Sequence, residues 1–440
     1  MDPRAIQAFS FTPTSGAGLA IERAEGCWLY AADGRRILDA AGGAIVANVG
    51  HGRAEVGAAM ARAATRTTYL VPPFATEERV RLAETLRARW LPEGLTRVLF
   101  TSGGSESVDA ALRVARQHFV AKGETSRWKV VGRELSYHGI TLATLAVGGH
   151  TKRRKGFEPL LLDFPHAPAC YPLRCGLCRG RCELQCADAL EALIAREGPG
   201  TVAAFIAEPI GGSTAGALVP PDDYWPRIAE ICARHGVLLI ADEVMTGFGR
   251  TGRRFGVEHF GVVPDLLVGG KGLAGGYAPI GAVFAKESVV APIAAAGHEV
   301  MFYTFGAHPT ACAAAEVVLE ILEREQLVAR AETMGALLRE RLLTRFEKHP
   351  HVAEIRGRGL LQALELVRDR ASQEPYPAET RLTGRVVATG LANGAFFYPG
   401  GCDPARDVIC LGPPFTIEAA EIDYLVDVLE ASIDEVTKTA

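Results

Sequence analysis

The sequence predicts an α/β fold: a large domain with a mostly parallel sheet flanked by helices, followed by a small α+β domain. Three observations predict it. Between residues 76 and 306, short apolar runs alternate with amphipathic segments, as strands joined by crossover helices do. Two of those runs, Val237-Leu238-Leu239-Ile240 and Leu266-Leu267-Val268, are followed closely by Asp242 and by Lys271; ligands of parallel sheets bind beyond the carboxyl ends of the strands. After Ala307-His308-Pro309 the alternation stops. A long helical region runs to about His349, then comes the strand-like Arg356-Gly357-Arg358-Gly359-Leu360-Leu361, and a closing helix follows Pro413-Pro414.

The elements follow in chain order. Cys27-Trp28-Leu29-Tyr30 and Ile37-Leu38-Asp39 flank Asp33-Gly34, a turn-forming dipeptide, so the segment reads as a hairpin. Val98-Leu99-Phe100 is the next strand, and Thr101-Ser102-Gly103-Gly104-Ser105-Glu106 leads from it into a helix over 108–120. Trp128-Lys129-Val130-Val131 and Val202-Ala203-Ala204-Phe205-Ile206 read as further strands. Pro221-Asp222-Asp223 opens a helix that carries Ile228, Ile231 and Cys232 at helical spacing and stops at His235-Gly236.

Composition narrows the function. With 440 residues and 48% apolar content the chain can bury a large core, and a net charge of -4 offers no basic face for nucleic acid or an anionic membrane. No apolar run approaches the roughly 20 residues of a spanning helix. Met1-Asp2-Pro3-Arg4-Ala5-Ile6 lacks the basic-then-apolar pattern of a secretory signal, so a cytoplasmic location is expected. Ten cysteines in that compartment are expected to be free, metal-bound or reactive rather than disulfide-bonded.

Asp242 and Lys271 suit one chemistry. A lysine forms a Schiff base with pyridoxal phosphate (PLP), and a carboxylate holds the pyridine nitrogen protonated. An acid ending an apolar strand is costly unless paired, although a helix-capping role is the alternative. A lysine between apolar residues and glycines is constrained, and burial lowers its pKa and makes it nucleophilic; the alternative is a solvated loop lysine. Ser102-Gly103-Gly104-Ser105 joins a strand to a helix, where glycines let the backbone approach a phosphate and the helix N-terminus favours an anion. Packing alone also produces such turns.

These motifs resemble the class III (omega) aminotransferases of PLP fold type I, the aspartate aminotransferase-like architecture, over nearly the whole chain. The resemblance implies a PLP-dependent transaminase that moves an amino group from an amine or omega-amino acid to a keto acid or aldehyde by a ping-pong mechanism, with small-molecule substrates. Lys271 and Asp242 are the catalytic residues it implies. Ser102, Gly103, Gly104 and Ser105 would sit at the phosphate, and glycine at 104 would be without consequence because N–H groups do the binding. Tyr137 would stack on the ring and Val244 would pack on the opposite face, with His138 nearby and Glu208 on the hydroxyl side. Thr304 would reach the phosphate of a neighbouring subunit, so a homodimer with shared active sites, or a dimer of dimers, is implied. The implied division is an N-terminal segment over 1–75 that contributes to the small domain and a lid, a large PLP-binding domain over 76–306 with a Cys-rich insertion at about 166–188, and a small domain over 307–440.

Two features depart from the family. Many members carry a mobile arginine about ten residues before the Pro-Pro that binds the acceptor's carboxylate. Here that place holds Asp403, with Arg406 nearby as a substitute; Tyr69, Leu70 and Phe74 are further pocket candidates. The second is Cys170, Cys175, Cys178, Cys182 and Cys186. Loop-plus-helix thiolates with short gaps suit zinc or an iron–sulfur cluster held by four of the five, while free thiols in a surface insertion are the alternative. The same fold also hosts aminomutases, racemases and decarboxylases, and a cysteine-ligated metal or redox sensor on an aminotransferase scaffold is a third reading.

Overall fold

The computed structural model describes residues 19–71, 73–178 and 182–440. Met1 to Ile6, read above for a targeting signal, lies outside them. A seven-stranded sheet forms the centre. Its strands are β4 (Leu95–Thr101), β5 (Lys129–Arg133), β6 (His166–Ala167), β7 (Val202–Ala207), β8 (Leu238–Asp242), β9 (Leu266–Gly269) and β10 (Gly281–Lys286), in the order β4-β10-β9-β8-β7-β5-β6. All neighbours are parallel except those of β10, which runs antiparallel to both β4 and β9. Sequence alternation did not single out β6, which is only two residues long, or β10, which returns directly beside β9 without a crossover helix.

Every residue of β7 is buried, as is all of β8 beyond Leu238. Helices therefore cover both faces. The helix Gly104–Ala121 turns Val108, Ala111, Leu112, Ala115 and Phe119 inward at helical spacing. It starts four residues before the expected boundary, because the glycine turn itself forms its first turn. The helix Tyr224–His235 buries Ile228, Ile231 and Cys232 and ends at Gly236 in the left-handed conformation (φ 62°). Its start lies beyond Pro221 and Asp222, with Asp223 at the N-cap position; Asp222 pairs with Arg358 at 2.6 Å.

The remaining strands complete two four-stranded sheets. β1 (Ile21–Glu25), β2 (Trp28–Ala31) and β3 (Arg36–Asp39) form a meander that β13 (Ala395–Phe396) joins in parallel. β11 (Val352–Arg358), β12 (Leu361–Leu366), β14 (Tyr398–Cys402) and β15 (Ala405–Leu411) form the other, in the order β11-β12-β15-β14. The strand-like stretch expected near Arg356 is thus a hairpin, turning at Gly359 with φ 54°. The long helical region divides into Pro309–Arg324 and Leu327–Phe346, broken where Gln326 adopts φ 51°. The closing helix is Ala419–Thr437. No helix among the described residues is long and apolar enough to cross a membrane.

Candidate active site

The carboxyl ends of β7, β8 and β9 open on a cavity of about 170 Å³, lined by Gly104, Ser105, Tyr137, His138, Gly139, Glu208, Asp242, Val244, Met245 and Lys271. Eight of these were expected from sequence. Gly139 and Met245 were not, although each is adjacent in sequence to a residue that was.

Asp242 ends β8 and is 3% exposed. Its Oδ2 lies 2.7 Å from His138 Nδ1, and its Oδ1 accepts the Val244 N–H at 3.0 Å. The Val244 bond is the local turn expected of a capping aspartate, yet the side chain still faces the cavity. His138 Nε2 is buried with no partner, a polar atom that a bound group would satisfy. Glu208, 4% exposed at the end of β7, receives the Gly212 N–H at 3.0 Å and the Tyr137 N–H at 3.4 Å, and Arg133 lies 3.8 Å away. Burial raises its pKa, with His138 and Arg133 opposing the rise.

Lys271 stands two residues beyond β9 with φ 39°, a left-handed conformation uncommon for a side-chain-bearing residue. Burial among protein atoms lowers its pKa to about 8, while Asp242 and Glu208 act in the opposite sense. Part of its surface still faces the cavity. A fraction of the amine is therefore unprotonated, and nucleophilic, near neutral pH.

At the opposite side the helix Gly104–Ala121 presents its first turn, whose N–H groups have no intrahelical partner. Ser105 Oγ accepts the Ile140 N–H at 3.3 Å. A Cβ at Gly104 would lie 2.8 Å from Val244 Cγ1. Glycine at 104 is therefore a steric requirement of the Val244 wall, a correction to the expectation that it is without consequence. Ser102 and Gly103 stand one step outside the lining; the Ser102 N–H donates to Glu106 Oε2 at 2.8 Å, and Gly103 O receives the Ser107 N–H at 3.0 Å.

Besides Ser102 and Gly103, three more expected site residues do not line this cavity. Thr304 is exposed in a turn. Tyr69 is exposed and packs edge-on against Phe305, with ring centres 6.3 Å apart. Arg406 donates to Asp403 at 2.9 Å and to the Tyr376 carbonyl at 3.0 Å and stands outside the lining.

The cysteine cluster is also corrected. Among the described residues no group of three or more His, Cys, Asp or Glu side chains is placed to hold a metal ion, so neither zinc nor an iron–sulfur cluster is supported at Cys170, Cys175, Cys178, Cys182 and Cys186. The thiols are neighbours of one another: Cys170 and Cys186 meet in the core beside Tyr171, Ala187 and Leu190, and Cys178 is buried next to the partly exposed Cys175 and Cys182. Residues 179–181 lie outside the described residues.

The sequence profile described as "Aminotransferase class-III" matches residues 12–433. The chain belongs to the class-III aminotransferases. The putrescine–pyruvate aminotransferase of Pseudomonas aeruginosa is 34% identical over 423 residues, covering 94% of this chain and 90% of that protein. The solved (S)-enantioselective omega-transaminase of Thermomicrobium roseum superposes with a TM-score of 0.92 at 37% identity, covering 98% of each chain. The omega-transaminase of Pseudomonas jessenii, solved with PMP, superposes with a TM-score of 0.92 at 33% identity, covering 99% of this chain and 98% of that one. This class-III aminotransferase has the fold type I architecture and carries out PLP-dependent transamination. Aminomutase, racemase, decarboxylase and metal-sensor readings are not favoured. The cavity fits the cofactor: a lysine of lowered pKa, a buried carboxylate, an unpartnered imidazole nitrogen and a helix N-terminus converge on one space.

Proposed function

We propose that this aminotransferase takes a small amine or omega-amino acid as donor and a keto acid or aldehyde as acceptor, with Lys271 and Asp242 as its catalytic residues. One observation carries the reading: a lysine whose pKa falls to about 8 shares a buried cavity with a carboxylate fixed at the end of the neighbouring strand. Likeness to a putrescine–pyruvate aminotransferase supports a terminal amine as donor and pyruvate as acceptor.

When bound, PLP supplies an electron sink for the bond broken at the amine-bearing carbon. Lys271 Nζ holds the cofactor, and its lowered pKa suits it to take up and return a proton there. Asp242 would keep the ring nitrogen protonated, with His138 fixing the carboxylate's orientation. The N–H groups of Gly104 and Ser105 would hold the phosphate, beside Ser102 and Gly103. Tyr137 and Val244 would enclose the ring, with Glu208 on its hydroxyl side.

The enzyme is further proposed to work as a homodimer. Phe74, Phe302 and Phe305 are exposed around Thr304 and Tyr69, an apolar surface of the kind that interfaces cover. Arg79 braces it, donating to the carbonyls of Phe74 and Ala307 at 2.7 Å each and to that of Leu70. Thr304 is then free to serve the neighbouring copy's phosphate. The division at 75/76 and 306/307 is proposed with it; pairing of β13 with β3 supports an N-terminal segment that completes the small domain. A cytoplasmic location is supported by ten unpaired cysteines.

The test is the visible absorbance of the protein supplied with PLP, before and after adding single amines. Wild type is expected to show a bound-cofactor band that each accepted amine converts, and Lys271→Ala to show no turnover. Full turnover by Lys271→Ala overturns the assignment.

A further inference from the structure

The acceptor's carboxylate needs a cation, and Arg406 stands outside the cavity lining. Another arginine stands beside the cavity. Arg153 lies in the short helix Thr151–Arg154, and its guanidinium sits 4.5 Å from the centre of the Tyr137 ring. It is exposed, and no carboxylate among the described residues lies within ion-pair distance of it. His150 precedes it, buried, with its ring edge-on to Tyr137 at 6.5 Å and 76°. His150 Nδ1 is buried without a hydrogen-bond partner. Burial, with Arg153 and Lys152, lowers the His150 pKa to about 4, so this ring is a neutral hydrogen-bonding group at working pH.

The helix is fixed in place by the small domain. Thr151 Oγ1 lies 2.9 Å from Cys402 Sγ, and Lys152 Nζ donates to Gly401 O at 3.4 Å. The helix that carries Arg153 is thereby docked on the end of β14, at Gly401 and Cys402, just before Asp403. The charge of Arg153 also reaches Lys271, where it is among the groups that lower the amine's pKa.

We propose that Arg153, with His150, forms the subsite that receives a substrate carboxylate. The inference rests on the transaminase reading above. A guanidinium stacked on an aromatic face keeps its planar donors free for a bidentate carboxylate. The stacking partner is the same Tyr137 that walls the cavity, so recognition and reaction share one rigid side chain. The carboxylate can arrive on a keto acid acceptor or on an omega-amino acid donor, and uncharged aldehydes and amines bypass the subsite.

The test compares wild type, Arg153→Ala and Arg153→Lys as holoenzymes, with bound-cofactor absorbance as the check on loading. Acceptors are pyruvate and butanal with propylamine as donor; donors are beta-alanine and propylamine with butanal as acceptor. Binding of unreactive propionate is measured directly by intrinsic fluorescence. Arg153→Ala is expected to raise KM for pyruvate and the propionate dissociation constant about tenfold or more, the scale of one lost charge-assisted pair, and to change KM for butanal and propylamine far less, any shift through Lys271 being common to all substrates. Arg153→Lys is expected to fall between. A rise with beta-alanine but not pyruvate assigns the subsite to the donor. Equal changes for pyruvate and butanal, or none for any carboxylate, overturn the subsite. A wild type without a bound-cofactor band overturns the transaminase reading instead.

Discussion

His138 Nδ1 lies 2.7 Å from Asp242 Oδ2, and both side chains are buried. The imidazole holds the carboxylate from one side while the Val244 N–H, 3.0 Å away, holds it from the other. A carboxylate offers about four acceptor sites, so two contacts leave room for a protonated ring nitrogen. Asp242→Asn keeps the shape and removes the charge. It is expected to lower kcat/KM by about a hundredfold or more, the scale of losing one partner of a buried charged pair. Steady-state kinetics on the cofactor-loaded variant checks this; unchanged kinetics refutes the pairing.

Lys271 gives a pH prediction. Its folded-state pKa is about 8, against 10.5 for an unperturbed lysine. In the apoprotein the cost of holding the ammonium is fully present below about pH 8. It fades as pH rises toward 10.5, where the unfolded chain also loses its proton. Lys271→Met removes the cost, so the apo variant is expected to be more stable than wild type at pH 7, by at most about 3 kcal/mol. Solvent reaching the amine through the cavity reduces that figure. Denaturant titrations across this pH range measure the difference, which is expected to shrink as pH rises. The rate of PLP uptake by wild type is expected to climb with pH and level off above about 8.

Most of this site was legible because its chemistry is local. A strand end places Asp242, a second strand end with glycines places Lys271, and a glycine turn entering a helix places Gly104 and Ser105. What sequence did not supply depends on contacts between distant segments. The requirement for glycine at 104 comes from Val244, and no local pattern encodes it. Arg406 was a plausible cation until the fold placed it outside the cavity lining, against Asp403 and the Tyr376 carbonyl. The cysteine spacing suggested a metal, but Cys170 and Cys186 are taken up by the apolar core beside Tyr171 and Leu190, a use of thiols that spacing does not reveal. In the fold, β10 was missed because an antiparallel return lacks the crossover helix that marks the other strands.

The Gly104–Val244 contact can be tested by a double-mutant cycle. Gly104→Ala brings a methyl to 2.8 Å from Val244 Cγ1. It is expected to cost about 1–3 kcal/mol of stability, the usual cost of overpacking, and to weaken PLP binding as the Val244 wall shifts. Val244→Ala clears the space, so the double variant is expected to recover part of the loss. Additive losses would mean that the two residues do not interact.

The cysteines are expected to divide by burial. Serine at the partly exposed Cys175 or Cys182 should change stability by no more than about 0.5 kcal/mol. Cys186→Ser puts a hydroxyl among Tyr171, Ala187 and Leu190 and should cost about 1–3 kcal/mol. Thermal melting of each variant, with and without a chelator, checks both statements. A chelator-induced drop in wild-type melting temperature would restore a metal to the insertion.

The dimer rests on the apolar surface around Thr304. Phe305 is 61% exposed and touches Tyr69, while Phe74 and Phe302 share a neighbouring groove. A charge placed there adds little strain to a lone subunit, because the position is already solvated. Buried in an interface it would be unpaired and costly. Phe305→Asp is therefore expected to leave the subunit folded by circular dichroism and to shift sedimentation from dimer to monomer. Since Thr304 does not line its own chain's cavity, the monomer is also expected to bind PLP more weakly. A Phe305→Asp protein that remains dimeric with full cofactor affinity places the subunit contact elsewhere.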